Sequence, residues 1–149
     1  MYAPHVVTLY NVSEDPDTLE LVYNITILSG VFLERAQGTN IAKTGLRDAD
    51  SVRLFIPFSV TAIDGNSGER KQYIGPKAYR RLGSTEGYWT LDPGGASSGS
   101  DCFFVKGIII SNDGYRALRN SYDDVYDVTT IDVRDFGSED MQHWQVGGN

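Results

Sequence analysis

The chain has one cysteine, two histidines and few basic residues, and each shortage removes a class of protein. A lone Cys102 cannot form an internal disulfide, so nothing points to an oxidising compartment. Thirteen Lys and Arg stand against 20 Asp and Glu, a net charge of -7, with no basic run of five. That balance argues against duplex-DNA affinity, which needs a concentrated positive face. No stretch approaches the roughly 18 consecutive apolar residues of a membrane-spanning helix. Met1–Tyr10 has no basic stretch followed by a long apolar one, so the expectation is an untargeted cytosolic product. Two glycosylation sequons, Asn11-Val12-Ser13 and Asn24-Ile25-Thr26, then read as coincidence.

Catalytic signatures are missing as well. The phosphate-binding, dinucleotide, metalloprotease, nucleophile-elbow and paired-cysteine motifs do not occur. His5 and His143, the only imidazole bases, lie at opposite ends of the sequence. Cys102 opens an apolar run, where a thiol behaves as a small buried hydrophobe. Asp64–Glu69 begins like a calcium loop, but Gly75 stands where the bidentate glutamate is needed, so a turn between strands is the better reading. Asp123, Asp124, Asp127, Asp132 and Asp135 alternate with apolar residues and fit the wet face of a strand. The expectation is a protein that is not an enzyme, with no catalytic residue, metal or cofactor.

What the chain does have is alternation. Leu19, Leu21, Tyr23, Ile25 and Ile27 share one parity, as do Val52, Leu54, Ile56, Phe58, Val60 and Ala62. Pro57 cannot donate to a ladder and predicts an edge or a bulge. Tyr126 and Val128 lie on one parity and Ile131 and Val133 on the other, so a bulge at Thr129 and Thr130 is predicted between them. Cys102–Ile110 reads as a buried strand. His5–Tyr10, Lys71–Ile74, Tyr88–Leu91 and His143–Val146 are shorter candidates. Pro76 opens a short helix ending near Gly83, and Asn112 or Asp113 caps another running to about Tyr122. With 16 glycines, above the usual share of about 7%, the chain reads as one all-β domain over residues 1–149. The expected architecture is a small barrel or sandwich of about eight strands with one or two short helices and a long loop.

Two stretches lack a period. Leu33–Ser51 is a long loop, a functional element or one ordered by a partner. Pro93–Asp101 is a glycine- and serine-rich surface loop. Lys71, Lys77, Arg80 and Arg81 bracket Tyr73 and Tyr79, a basic and aromatic mixture of the kind found where proteins bury surface against one another. Lys77, Tyr79, Arg80 and Arg81 are therefore the candidate partner interface. Trp89 and Trp144 read as core.

Several strings resemble a family of small proteins from phages and prophages of Gram-positive bacteria. They are Thr8-Leu9-Tyr10-Asn11, Ser29-Gly30-Val31-Phe32, Ala49-Asp50-Ser51-Val52, Ile56-Pro57-Phe58, Gly87-Tyr88-Trp89-Thr90-Leu91, Val105-Lys106-Gly107, Asp135-Phe136-Gly137-Ser138 and Gln142-His143-Trp144. These are the minor capsid proteins that act as head-completion, or stopper, proteins of the neck. The similarity spans nearly the whole chain, in short strings, and departs from the pattern at Gly94–Asp101. It implies a homo-oligomeric ring of six or twelve copies, with portal and adaptor proteins above and tail proteins below. Genome DNA would pass through the ring without sequence-specific binding, and no membrane is involved. The protein would be made in the bacterial cytoplasm and end in the virion neck. A long loop would reach into the DNA channel. On that reading Ile41 and Leu46 supply burial between copies, Lys43, Arg47, Asp48 and Asp50 pair between neighbours, and Arg35 and Asn40 complete the loop and subunit interface. A tail terminator or tail-tube-like ring protein is the nearest alternative. A small barrel that binds a ligand or acts as an enzyme is the more distant one.

Overall fold

Period-two patterning becomes a closed barrel because strands with one apolar side can bury it by curling the sheet onto itself. A computed structural model describes residues 3–14, 17–18, 20–35, 52–82, 84–92, 102–110 and 115–148. Its strands are β1 (His5–Glu14), β2 (Leu21–Arg35), β3 (Val52–Pro57), β4 (Thr61–Asp64), β5 (Gln72–Tyr73), β6 (Tyr88–Trp89), β7 (Cys102–Lys106), β8 (Val125–Arg134) and β9 (His143–Gly148). Among the described residues there are two short helices, α1 (Pro76–Arg80) and α2 (Tyr115–Ser121), and a 3-10 turn at Glu139–Met141. Six strands pair antiparallel in the order β1-β7-β8-β9-β3-β2, and β2 returns to β1 to close the ring. The small β-barrel alternative is thus the observed one. β4 continues past β3 along the same edge of β2, and β5 and β6 form a separate parallel pair.

The registers fix two ends. Glu14, Leu21, Pro57, Cys102, Arg134 and His143 lie toward one, here the upper end. His5, Arg35, Val52, Lys106 and Val125 lie toward the lower end.

Parity decides which side chains fill the barrel. Val7 and Leu9 of β1, Leu28, Val31 and Leu33 of β2, Leu54 and Ile56 of β3, Phe104 of β7 and Val146 of β9 form the interior core. The alternation in the first half of β2 belongs to a different place. Tyr23 and Ile25 point outward and join Tyr10, Val12, Phe103, Val105 and Val125 in a second cluster, roofed by Leu118 of α2 and by Ile109. Tyr10 and Phe103 stack there with centroids 4.7 Å apart. Two apolar faces on one strand are legible only if β2 changes parity, and it does so at Gly30. There φ is +87°, and the register to β1 slips between His5 and Val6. Glycine tolerates that backbone at no steric cost.

Other expectations are adjusted in the same terms. The predicted bulge in β8 is present: the register to β9 shifts between Val128 and Thr130, and Thr129 Oγ1 donates to the Gly147 carbonyl at 3.1 Å. β3 is not an edge strand, since β2 and β9 flank it. Pro57 lies beyond the last β2 partner, Phe55, so its missing N–H interrupts no ladder. The expected Cys102–Ile110 strand stops at Lys106 because Gly107, at φ +96°, turns the chain back over β1. Thr8 Oγ1 holds that return, donating to the Gly107 carbonyl at 2.7 Å and accepting from Ile109 N–H at 3.0 Å. The expected loop from Leu33 begins later, because Leu33, Glu34 and Arg35 are still strand, paired with Leu54, Arg53 and Val52.

Gly148 sits where the barrel wall is tightest. A Cβ there would lie 2.9 Å from Val52 Cγ2 and 3.1 Å from both Phe104 Cζ and Tyr126 Cβ. Gly148→Ala is expected to lower stability by about 1–3 kcal/mol, the usual cost of overpacking a closed core, read as a shifted urea midpoint at unchanged slope.

Candidate functional site

The upper mouth of the barrel is filled by residues 70–92, and the way they are held defines the surfaces left for partners. Asn11 shares the interior parity of Val7 and Leu9, and Asn24 that of Leu28; the two asparagines oppose each other across β1 and β2. The Asn11 amide donates to the Thr90 carbonyl at 2.9 Å and accepts from Thr90 N–H at 3.2 Å. Asn24 Nδ2 donates to Tyr79 Oη at 2.8 Å and to the Tyr88 carbonyl at 2.9 Å. Lys71 Nζ donates to the Ile25 carbonyl and to Thr26 Oγ1, both at 3.0 Å, and also to Asn24 Oδ1. Asp64 Oδ2 lies 3.4 Å from the same amine. Beside this polar clamp an aromatic cluster closes the other half of the mouth. Tyr73 and Phe58 each lie 4.5 Å from Trp144, and Trp89 lies 5.6 Å from it, centroid to centroid.

Both ionised members of the clamp are shifted. Burial pushes the Lys71 amine below its ordinary 10.5, and the Asp64 carboxylate offsets only part of that. Burial alone would raise Asp64. The N–H groups of Ser67 and Asn66, together with Lys71, outweigh it and hold the carboxyl below its ordinary 3.8.

The expected partner interface divides. Tyr79 is not part of an exposed patch: it is 8% exposed and its hydroxyl accepts from Asn24, so α1 is pinned down through it. Lys77, Arg80 and Arg81 are exposed, and Arg80 pairs with Asp92. Of the residues expected to form the channel and subunit interface, Arg35 alone is described. It ends β2 at the lower end and pairs with Asp124. Asn40, Ile41, Lys43, Leu46, Arg47, Asp48 and Asp50 lie outside the described residues. They fall in sequence between Arg35 and Val52, which pair with each other at the lower end.

The remaining candidates resolve without chemistry converging. Cys102 is buried in the interior core, where its sulfur accepts from Asn11 Nδ2 at 3.6 Å. The histidines, distant in sequence, lie in one aromatic row across the outer wall: His5, Phe32, Phe55 and His143, with successive centroids 5.5, 6.0 and 5.7 Å apart. Asp64 Oδ1 caps its turn by accepting from Asn66 and Ser67 N–H at 2.7 and 3.0 Å. Asn11 and Asn24, the sequon asparagines, spend their amides on the clamp. Among the described residues no helix is long and apolar enough to cross a membrane.

One surface had no counterpart in the sequence reading. The β8–β9 hairpin carries Val133, Phe136 and Met141 at 55%, 67% and 55% exposure. Its tip is ordered by its own hydrogen bonds, Met141 N–H to the Ser138 carbonyl at 2.9 Å and Gln142 Nε2 to the Gly137 carbonyl at 3.4 Å. The available signal was a phenylalanine beside a glycine at the end of an alternating run, where a turn normally carries polar residues.

Lys71→Met orphans the Asn24, Ile25 and Thr26 acceptors and is expected to cost about 1–3 kcal/mol. The sign of the pH effect follows from linkage. Between the folded and unfolded values the unfolded chain keeps a proton that the folded chain has lost, so stability rises with pH in the window below 10.5. Tyr73 and Tyr79, whose hydroxyls burial holds above 10.0, work in the opposite sense near that value, so the Lys71 effect is read as a difference: the gap in urea midpoint between the native chain and Lys71→Met should widen as pH rises through the window. Arg80→Ala, by contrast, should change stability by less than about 1 kcal/mol, because its pair with Asp92 is exposed.

No curated protein and no solved structure matches the chain significantly. Residues 3–149 match a family of unknown function (DUF6751), and the chain belongs to that family.

Proposed function

We propose that the protein is a structural ring subunit of a tailed phage, placed in the neck, where it closes the DNA-filled head and joins it to the tail. The observation that carries this reading is the closed antiparallel barrel, with its upper mouth covered by its own chain, together with a hydrogen-bonded hairpin whose apolar side chains are exposed. A sealed barrel offers its outer surfaces and not its interior, which suits a subunit that works through contacts. Arg35 and Val52, which bound the segment that the stopper resemblance would send into the channel, pair at the end opposite the seal. A net charge of -7 suits the wall of a DNA conduit, which should not hold its cargo.

The test is removal of the gene from the phage or prophage that carries it. Expected are filled heads that lose their genome and accumulate beside free tails, with infectivity restored by supplying the protein in trans. Normal infectious particles without the protein would overturn the proposal. Stable filled heads with tails of irregular length would move the chain to the tail-terminator position.

A further inference from the structure

Charge is segregated along this chain in a way the barrel turns into geometry. Arg70–Leu82 holds five basic residues, Arg70, Lys71, Lys77, Arg80 and Arg81, and no acidic one. Asp123–Asp140 holds seven acidic residues against Arg134 alone. Lys71 is spent in the clamp, while the other four basic side chains are exposed. The acidic stretch contains β8 and runs into the hairpin tip, where Asp135 and Glu139 are exposed around Phe136 and Met141.

The two surfaces sit at the same end of the barrel. Tyr79 and Lys71 fasten the basic segment to Asn24, near the upper end of β2. The hairpin tip follows Arg134 and precedes His143, also at the upper end. Around the six-strand ring β8 and β2 stand three places apart in either direction, so the hairpin rises across the mouth from the strand that fastens the basic segment. A contact between two different patches of one chain propagates head to tail, and it closes into a ring when the rotation it imposes divides a full turn.

We propose that the hairpin tip of one copy docks on the α1 face of a second copy, with Phe136 and Met141 as apolar anchors and Asp135 and Glu139 meeting Lys77 and Arg81. A tip already held by its own hydrogen bonds loses little freedom on docking. The opposite charges select this register over hairpin-to-hairpin contact, where like charges repel. The inference deepens the ring reading and rests on it only for closure; the contact itself belongs to the purified chain.

The experiment is sedimentation of the full chain from about 10 μM to about 1 mM, the range of weak specific association. It is combined with zero-length carbodiimide cross-linking of mixed isotope-labelled copies. The native chain should self-associate, with cross-links between copies joining Lys77 to Asp135 or Glu139. Phe136→Ser, the double reversal Asp135→Lys with Glu139→Lys, and the double reversal Lys77→Glu with Arg81→Glu should each weaken association by about tenfold or more. All three act on exposed residues and should leave the circular dichroism spectrum unchanged. Mixing the two charge-reversed chains should restore a heterodimer. A native chain monomeric throughout, reversed variants that associate as the native chain does, or cross-links confined to other surfaces would overturn the contact. Those results leave the gene-removal phenotype untouched, and an unaffected phage with the contact intact would sink the neck assignment alone.

Discussion

Asn11 and Asn24 face each other across the first two strands, and with the Lys71 amine they satisfy six polar groups of Ile25, Thr26, Tyr79, Tyr88 and Thr90. A barrel of six strands ends in rims of polar backbone and exposed core, and something must cover them. Here the cover is the chain's own segment 70–92, too short in regular structure to stand alone, since β5 and β6 contribute two residues each. Its stability is borrowed from the clamp and from the packing of Tyr73 and Trp89 on Trp144. The position of α1, and with it the exposed basic face, follows from those contacts.

The outer cluster has a comparable logic on one side of the wall. β1, β2, β7 and β8 bury both faces, inward on the core and outward beneath α2 and the Gly107–Ile110 return. Strands covered on both faces leave the opposite arc of the barrel, the β8–β9 hairpin above all, as the part that projects. Rigid wall and ordered tip are two results of one topology.

Much of this was legible in the sequence. Alternation located the strands, and two parities in 126–133 located the β8 bulge, because a buried apolar residue cannot tolerate a change of face. The family resemblance and the alternation pointed to a barrel or sandwich, but only pairing between β1 and β2, contacts between strands adjacent in sequence, decides closure. Less legible was the parity change at Gly30, since Ile25 and Val31 are both apolar and nothing local says that one faces in and the other out. Tyr79 was misplaced because a tyrosine among basic residues looks like a contact residue, while its partner, Asn24, is 55 residues away. Lys71 was grouped with the exposed cations for the same reason. A buried lysine is recognised only by the acceptors that surround it, and those come from β2.

The barrel is proposed to be a ring subunit at the neck of a virion. Electron cryo-microscopy of phage particles induced from a host that carries the gene tests that most directly. The claim predicts a closed ring of barrels between portal and tail, each hairpin tip touching the α1 side of the next copy. Particles with no density for the barrel, or with it only at another site, would contradict it.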